Sequence, residues 1–474
     1  TKQRLDARAA QKNTGELYEQ LFIRHWDTWK DGTRAQLFAW ALDEQGAITG
    51  NPVWLSRGID GDVPSKPFGG DEEISFTPDG KAVIYSARIA GKSEPWSTNF
   101  DLWRVPADGS AVPENLTPDN PAMDTGPVVS PDGKLLAYRA MKRPGFEADR
   151  LAIMVRELGR DGKFGPAREV APKWDRSADS LQWSPDGRKL YTAADDLGQH
   201  KLFSIEVASG KVKALTGDGY VEGFALARDA LIVAHNTLKS PTQLYRIKLS
   251  GSAPLALTEH DARAMAGLAV GEPEQFSFKG WNDETVHGYV VKPVGYVKGG
   301  KYPIAFIIHG GPQGSMGNHW HYRWNPQVYA GAGYAVVFID FHGSTGYGQA
   351  FTDAITGHWG DRPLEDLQKG YAAALAKYDF LDASRAVGVV SGILSGDRPR
   401  LEAETRAEYV KIREQFARGR MQHLDLRRPA SRGWVQFSER LLAGAMGTSS
   451  ARALLTTVLR GSGLEIGQVV ALLD

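Results

Sequence analysis

No cysteine occurs in the 474 residues, which excludes disulfides, thiol nucleophiles and cysteine-held metals. Neither sign of charge is in excess, since 56 Lys and Arg stand against 56 Asp and Glu. Such a balance gives no reason to expect a nucleic-acid partner or an anionic membrane surface. No apolar run approaches the ~20 residues of a membrane span. No initiator Met opens TKQRLDARAA and no apolar leader follows it, so a fragment or a processed product is expected. No pattern calls for a metal or an organic cofactor, and none is expected. What the chain does have is 53 glycines and a length that, as a prior, implies two or three domains with ample core.

The first half repeats itself. Phe76–Gly80 (FTPDG), Val129–Gly133 (VSPDG) and Trp183–Gly187 (WSPDG) place prolines at 78, 131 and 185, spacings of 53 and 54. Each is followed by an apolar strand, at 82–85, 135–138 and 189–191. Pro-Asp-Gly predicts a tight turn, because Pro fixes φ and Gly accepts positive φ. A second pattern runs out of phase with the first. A strand ending in Gly109, Gly210 or Gly251 leads to Leu116-Thr117, Leu215-Thr216 or Leu257-Thr258. Two hairpins per ~50 residues is the signature of a β-propeller blade, and the even spacing argues against a β-sandwich. Gln36–Ala41 and Phe224–His235 add further blade strands. Four to five blades are expected, and closed propellers have about 4–8, so the ring is expected to be partial.

Past Ala266 the pattern changes. Gln275–Phe278 and Val286–Val291 alternate. Ile304–Ile308 and Tyr334–Ile339 are continuous apolar runs, as in strands buried on both faces. The first ends in His309-Gly310-Gly311-Pro312 and the second in Asp340-Phe-His-Gly-Ser-Thr-Gly-Tyr-Gly348. Pro363–Tyr378 reads as an amphipathic helix with Leu364, Leu367, Tyr371 and Leu375 on one face. Arg385–Gly388 begins another strand. Strand, helix and strand in that order predict a parallel sheet with right-handed crossovers. Glycines after a buried strand let backbone N–H groups approach a substrate carbonyl at the ligand-binding edge of such a sheet.

A propeller, then HGGPQGS, then DFHGSTGYGQAF is an order that resembles the prolyl oligopeptidase family, and within it the bacterial dipeptidyl-peptidase V and acylaminoacyl-peptidase types. RHWDTWKDG (Arg24–Gly32), EPWSTNFDLW (Glu94–Trp103) and RPGFEADR (Arg143–Arg150) are similar to the same subgroup. The resemblance covers about 17–388. It implies a serine exopeptidase with a Ser-His-Asp triad on an α/β-hydrolase domain, a propeller that admits only short peptides, and a periplasmic or secreted home. It makes His309, Gly310, Gly311 and Pro312 an oxyanion loop, with Gly343, Ser344, Gly346 and Tyr347 beside it. It also makes Glu147, then Asp149, the anchor for a substrate's free amine, as a charge-assisted pair.

The sequence then departs from the family. The strand at Ala386-Val387 should run into Gly-x-Ser-x-Gly, the turn that presents a nucleophilic serine. It reads instead Gly388-Val-Val-Ser391-Gly-Ile-Leu-Ser395-Gly396, and neither serine is so flanked. His423 is the sole later histidine, and no triad is identifiable. From Pro399 the pattern is helical, over Pro399–Arg420, Val435–Ala445, Ser450–Leu459 and Gly467–Leu473. FSERLLAGAMGTSSARALLTTVLRGSGLEIGQVVALLD is loosely similar to the linker before the sensor kinase of symporter-type hybrid histidine kinases. The expected organisation is therefore a partial β-propeller over 1–265, the first part of an α/β-hydrolase domain over 266–388, and a helical tail of unrelated character over 389–474. The expected partners are short peptides, with no nucleic acid and no membrane. The expected function is that of a dipeptide-releasing serine peptidase, inactive as the chain stands. The alternatives are a non-catalytic peptide-binding propeller, or an acylaminoacyl-peptidase or esterase-like hydrolase.

Overall fold

The computed structural model describes residues 2–15, 24–25, 28–159, 162–249, 253–259 and 265–391. The helices expected after Pro399, with Ser395 and His423, lie outside the described residues. His309–Gly311 and the last two residues apart, the described chain forms one compact unit.

A helix, α1 (Lys2–Ala9), and two short hairpins come first: β1 (Arg24–His25) with β2 (Thr28–Trp29), and β3 (Phe38–Leu42) with β4 (Ile48–Trp54). Two four-stranded antiparallel meanders follow. One is β5 (Ile74–Phe76), β6 (Ala82–Ala87), β7 (Asp101–Pro106) and β8 (Glu114–Asn115). The other is β9 (Asp124–Val129), β10 (Leu135–Ala140), β11 (Ala152–Glu157) and β12 (Arg168–Glu169). The next two runs of four are β13 (Gln182–Trp183), β14 (Lys189–Asp196), β15 (Gln199–Glu206) and β16 (Val212–Ala214), then β17 (Tyr220–Leu226), β18 (Ala230–Thr237), β19 (Ser240–Lys248) and β20 (Leu255–Ala256). These two merge into one eight-stranded sheet through a single parallel pairing of His200 with Tyr220.

The repeated motifs have a common physical basis. In each Pro-Asp-Gly turn the aspartate accepts a 2.6 Å bond from the hydroxyl two residues before it (Thr77, Ser130, Ser184) and a 3.1 Å bond from the N–H two residues after it. Gly80, Gly133 and Gly187 hold φ of 70°, 74° and 67°, a conformation only glycine takes without steric cost. The Leu-Thr motif finishes a strand pair. Thr117, Thr216 and Thr258 each accept the N–H of Leu102, Leu202 or Leu244 at 3.0 Å through the hydroxyl. The preceding leucine returns a backbone bond to the same residue. The apolar faces pack as successive layers, such as Val83, Tyr85 and Val105, or Leu190, Ile205 and Trp183.

The second half is a five-stranded sheet in the order β21 (Pro273–Lys279), β22 (Thr285–Val291), β24 (Ala335–Asp340), β23 (Tyr302–His309), β25 (Leu381–Ser391). The sheet is mixed. β23 and β24 are parallel, as the order of strand, helix and strand predicts, whereas β22 pairs antiparallel both with β24 and, through a short hairpin, with β21. Every residue of β24 is buried, as a central strand covered on both faces requires. α2 (Pro326–Gly331), α3 (Gln349–Asp353) and α4 (Arg362–Lys377) accompany the sheet. The apolar stripe read along α4 needs one correction. Leu364 is exposed, and the buried seam is Pro363, Asp366, Gly370 and Ala374, with Leu367, Tyr371 and Leu375 packed partly against the core. Small residues win that face because the helix lies close to the sheet: a Cβ at Gly370 would come within 2.7 Å of the Phe278 ring.

Candidate functional site

At the C-terminal end of β24, Asp340 gathers the loops. Its buried carboxylate accepts Ser315 Oγ at 2.5 Å, the Met316 N–H at 3.0 Å and Tyr347 Oη at 2.8 Å. One aspartate thus ties the turn after β24 to the stretch that follows the glycine loop of β23. Burial, with Asp340 close by, keeps Tyr347 protonated well above the usual phenol range. The four residues proposed beside an oxyanion pocket therefore part company. Gly343 and Ser344 turn inward: Ser344 is fully buried, and its carbonyl accepts Thr352 Oγ1 at 3.0 Å. Tyr347 is a half-buried strut. Gly346 reaches a cavity.

In the His309–Pro312 segment, His309 is buried, with Nδ1 2.9 Å from the Gly310 carbonyl. Gly310 and Gly311 are exposed, and Gly311 holds φ 129°. Among the described residues neither glycine donates its N–H to another backbone group. These are the groups an oxyanion loop requires.

A His–Asp pair does exist, between His342 of the DFHGSTGYG motif and Asp366 of α4. His342 and Asp366 are both wholly buried, with Nδ1 to Oδ2 at 2.6 Å. Asp366 also accepts the N–H of His342 and of Trp281, each at 2.7 Å. His342 Nε2 stands 3.3 Å from Glu284. Both ring nitrogens face carboxylates, and among the described residues neither bonds a serine hydroxyl. The cluster joins α4 to the end of β24 and to the β21–β22 turn.

RPGFEADR forms a loop after β10. Asp149 is buried and accepts the N–H of Lys142 and Arg143, each at 2.8 Å, and Arg143 Nε at 2.7 Å. Burial alone would raise its pKa, but these bonds outweigh it and hold the group below the ordinary carboxylate range. Its oxygens are spent on shaping its own loop. Arg143 then reaches across to α3, with two 2.8 Å bonds to Asp353. Glu147 is exposed on the same loop, and its neighbour Ala148 lines the cavity.

That cavity, about 350 Å³, lies between the β10–β17 region and the turn after β24. Asp195, at the end of β14, accepts Thr345 Oγ1 at 2.5 Å. Burial raises its pKa, against the opposing pull of His200 and Thr345. His200 bonds the Val221 carbonyl at 2.7 Å and stacks on Tyr220, which stacks in turn on His319. Asp175 accepts the N–H of Gln349 at 3.1 Å. Arg150 and Arg176 are paired, with Glu169 and Asp196. Arg139, Asp175, Asp195 and His200 are lining groups that the sequence reading passed over. The available signal was an arginine inside the apolar strand LLAYRA.

Against known proteins, residues 320–392 match the model described as the prolyl oligopeptidase family. The chain is 34% identical over 404 residues to a probable dipeptidyl-peptidase 5 of Arthroderma benhamiae, covering 81% of this chain and 54% of that one. It is 33% identical, with the same coverage, to a dipeptidyl-peptidase 5 of Arthroderma otae. Among solved structures, an acylaminoacyl peptidase in complex with Z-Gly-Gly-Phe-chloromethyl ketone superposes with a TM-score of 0.63 at 19% identity, over 80% of this chain and 55% of the other. The Pyrococcus horikoshii acylaminoacyl peptidase gives 0.62 at the same identity, over the same shares. At that identity the structural likeness speaks for the fold. This chain spans about half the length of the curated relatives it matches. Sequence and fold agree that, along the stretch shared with these relatives, the chain belongs to the prolyl oligopeptidase family.

Proposed function

We propose that the shared stretch is the substrate-holding part of a serine exopeptidase that takes short peptides by their free N-terminus and releases dipeptides. The four- and eight-stranded meanders are read as blades of a propeller over the α/β segment. The observation that carries the reading is the half-open, charge-lined cavity where the meanders meet the loop end of the sheet. It is at the small end of the range for small-molecule sites. Glu147, on the loop that borders it, is the proposed amine anchor. Asp149 is the lesser candidate, because Arg143 and two backbone N–H groups already occupy it. Gly310 and Gly311 would offer N–H groups to a substrate carbonyl.

The same reading makes the chain a binder rather than a catalyst as it stands. Hydrolysis on this fold needs a serine raised on a glycine-flanked elbow, an imidazole to take its proton and a carboxylate to orient that imidazole. The sequence after Val387 supplies no such elbow, and His342 is committed to Asp366 and Glu284. The test is a fluorophosphonate probe with a dipeptidyl chromogenic substrate on the purified chain. The expected result is no labelling and no release. Stoichiometric labelling at Ser391 or Ser395 with dipeptide release would overturn the inactive reading.

A further inference from the structure

We propose that Arg139 is the recognition residue for a ligand carboxylate in the 350 Å³ cavity, so that the cavity binds short peptides carrying a free C-terminal carboxylate. The starting observation is a charge without a partner. Arg139 is 9% exposed, and its Nε has no hydrogen-bond partner. Among the described residues its guanidinium enters no ion pair, whereas the other two arginines of the lining are each paired. Burial pulls its pKa down. Asp179, Glu72 and Glu73 oppose that from beyond pairing distance. A buried cation with no hydrogen-bonded partner is costly, and a carboxylate arriving in the cavity supplies one.

The surroundings are built to present this side chain. The β9–β10 register shifts between Ala137 and Arg139, where β9 carries one extra residue, and such a bulge loosens the ladder facing Arg139. Gly126, on the facing strand at φ 62°, gives the guanidinium its room. A Cβ there would stand 2.8 Å from Nε and 2.9 Å from Nη2. The Nε–Nη2 edge lies against Gly126, which leaves the two terminal nitrogens, a planar pair that also matches a carboxylate bidentately. The lining also holds Asp175 and Asp179, which suit the ammonium of the same small zwitterion. A dipeptide fits these demands better than the interior of a longer peptide, whose backbone carbonyl is uncharged.

The test is calorimetric titration of the full chain with alanyl-alanine, its C-terminal amide and its N-acetyl form, alongside R139M. Binding is measured without turnover, so the result is independent of whether the peptidase reading holds. The acid is expected to bind at least about tenfold more tightly than the amide, and R139M should abolish that difference. The melting temperature of ligand-free R139M should hold or rise, since a buried unpaired charge has been removed. A fall there would mean that Arg139 supports the fold and would count against the proposal. Equal affinity for acid and amide, undiminished discrimination in R139M, or no binding of alanyl-alanine at millimolar concentration would each overturn it.

Discussion

Asp124, at the start of β9, is 1% exposed, and its Oδ2 has no partner. Its other oxygen accepts Asn120 Nδ2 at 3.0 Å. Burial, with a smaller push from Asp101, raises its pKa from 3.8 to about 7, against the bonds from Asn120 and Thr117. The native state therefore prefers the protonated acid. In the sign convention of linkage, a pKa raised by folding gives stability that is fully present below 3.8 and lost as pH rises through about 7. Integrated between those values, the penalty for the ionised carboxylate is about 1.7 kcal/mol at pH 5 and about 4.3 kcal/mol at pH 8. Asp124→Asn keeps an acceptor for Asn120 and cannot ionise. Relative to the parent chain, the variant should therefore gain about 2.6 kcal/mol between pH 5 and pH 8. Urea unfolding followed by tryptophan fluorescence at pH 5, 6.5 and 8 reads this difference. Taking it between the two proteins cancels the titration of every other group. Parallel profiles for the two proteins would show that Asp124 is ionised in the native state throughout, and the burial argument would fail.

Arg143→Ala should destabilise the chain by about 1–2 kcal/mol, because the side chain serves Asp149 and Asp353 together. Hydrogen exchange should quicken over 349–353, and unchanged protection there would refute the clamp. Glu94 has its pKa drawn down to about 2: burial would raise it, but hydrogen bonds from Arg34 and Lys30 prevail. Its stabilisation is thus present above the ordinary glutamate value of 4.5 and lost as pH falls toward 2. Allowing for screening of a partly exposed cluster, it is about 1–2 kcal/mol. Glu94→Gln should remove that acid limb from a plot of melting temperature against pH, and an unaltered limb would exclude the assignment. Gly288→Ala should cost about 1–3 kcal/mol, because its Cβ would lie 2.5 Å from the Phe338 carbonyl oxygen in the neighbouring strand. Gly314→Ala, with open space around it, should stay within about 0.5 kcal/mol. Equal melting temperatures for these two variants would contradict the packing described.

Local chemistry made much of this molecule legible in the sequence. The Pro-Asp-Gly turns were readable because a hydroxyl, an aspartate and a glycine within five residues close their own hydrogen bonds. The helix at Arg362–Lys377 and the buried strands at 304–308 and 335–339 followed from periodicity and from continuous apolar runs. The glycine loop after β23 was readable for the same reason. Other features depend on which strand becomes whose neighbour. The direction of β22, the seam of α4 and the inward turn of Ser344 were set by packing against distant segments. Asp149 carried the right charge for an anchor, but only the folded loop shows its oxygens turned back on Lys142 and Arg143. Arg139 is the clearest case. In the sequence it is one arginine in LLAYRA. The bulge in β9, the glycine at 126 and, among the described residues, the absence of any carboxylate within bonding distance arise from residues brought together across the fold. Burial then gives the unpaired charge its energetic weight. The sequence alone determined the turns, strands and glycine loops, because their bonds close within a few residues. The tertiary structure decided which charges stay unpaired, because that depends on how much solvent and which distant side chains remain around each one.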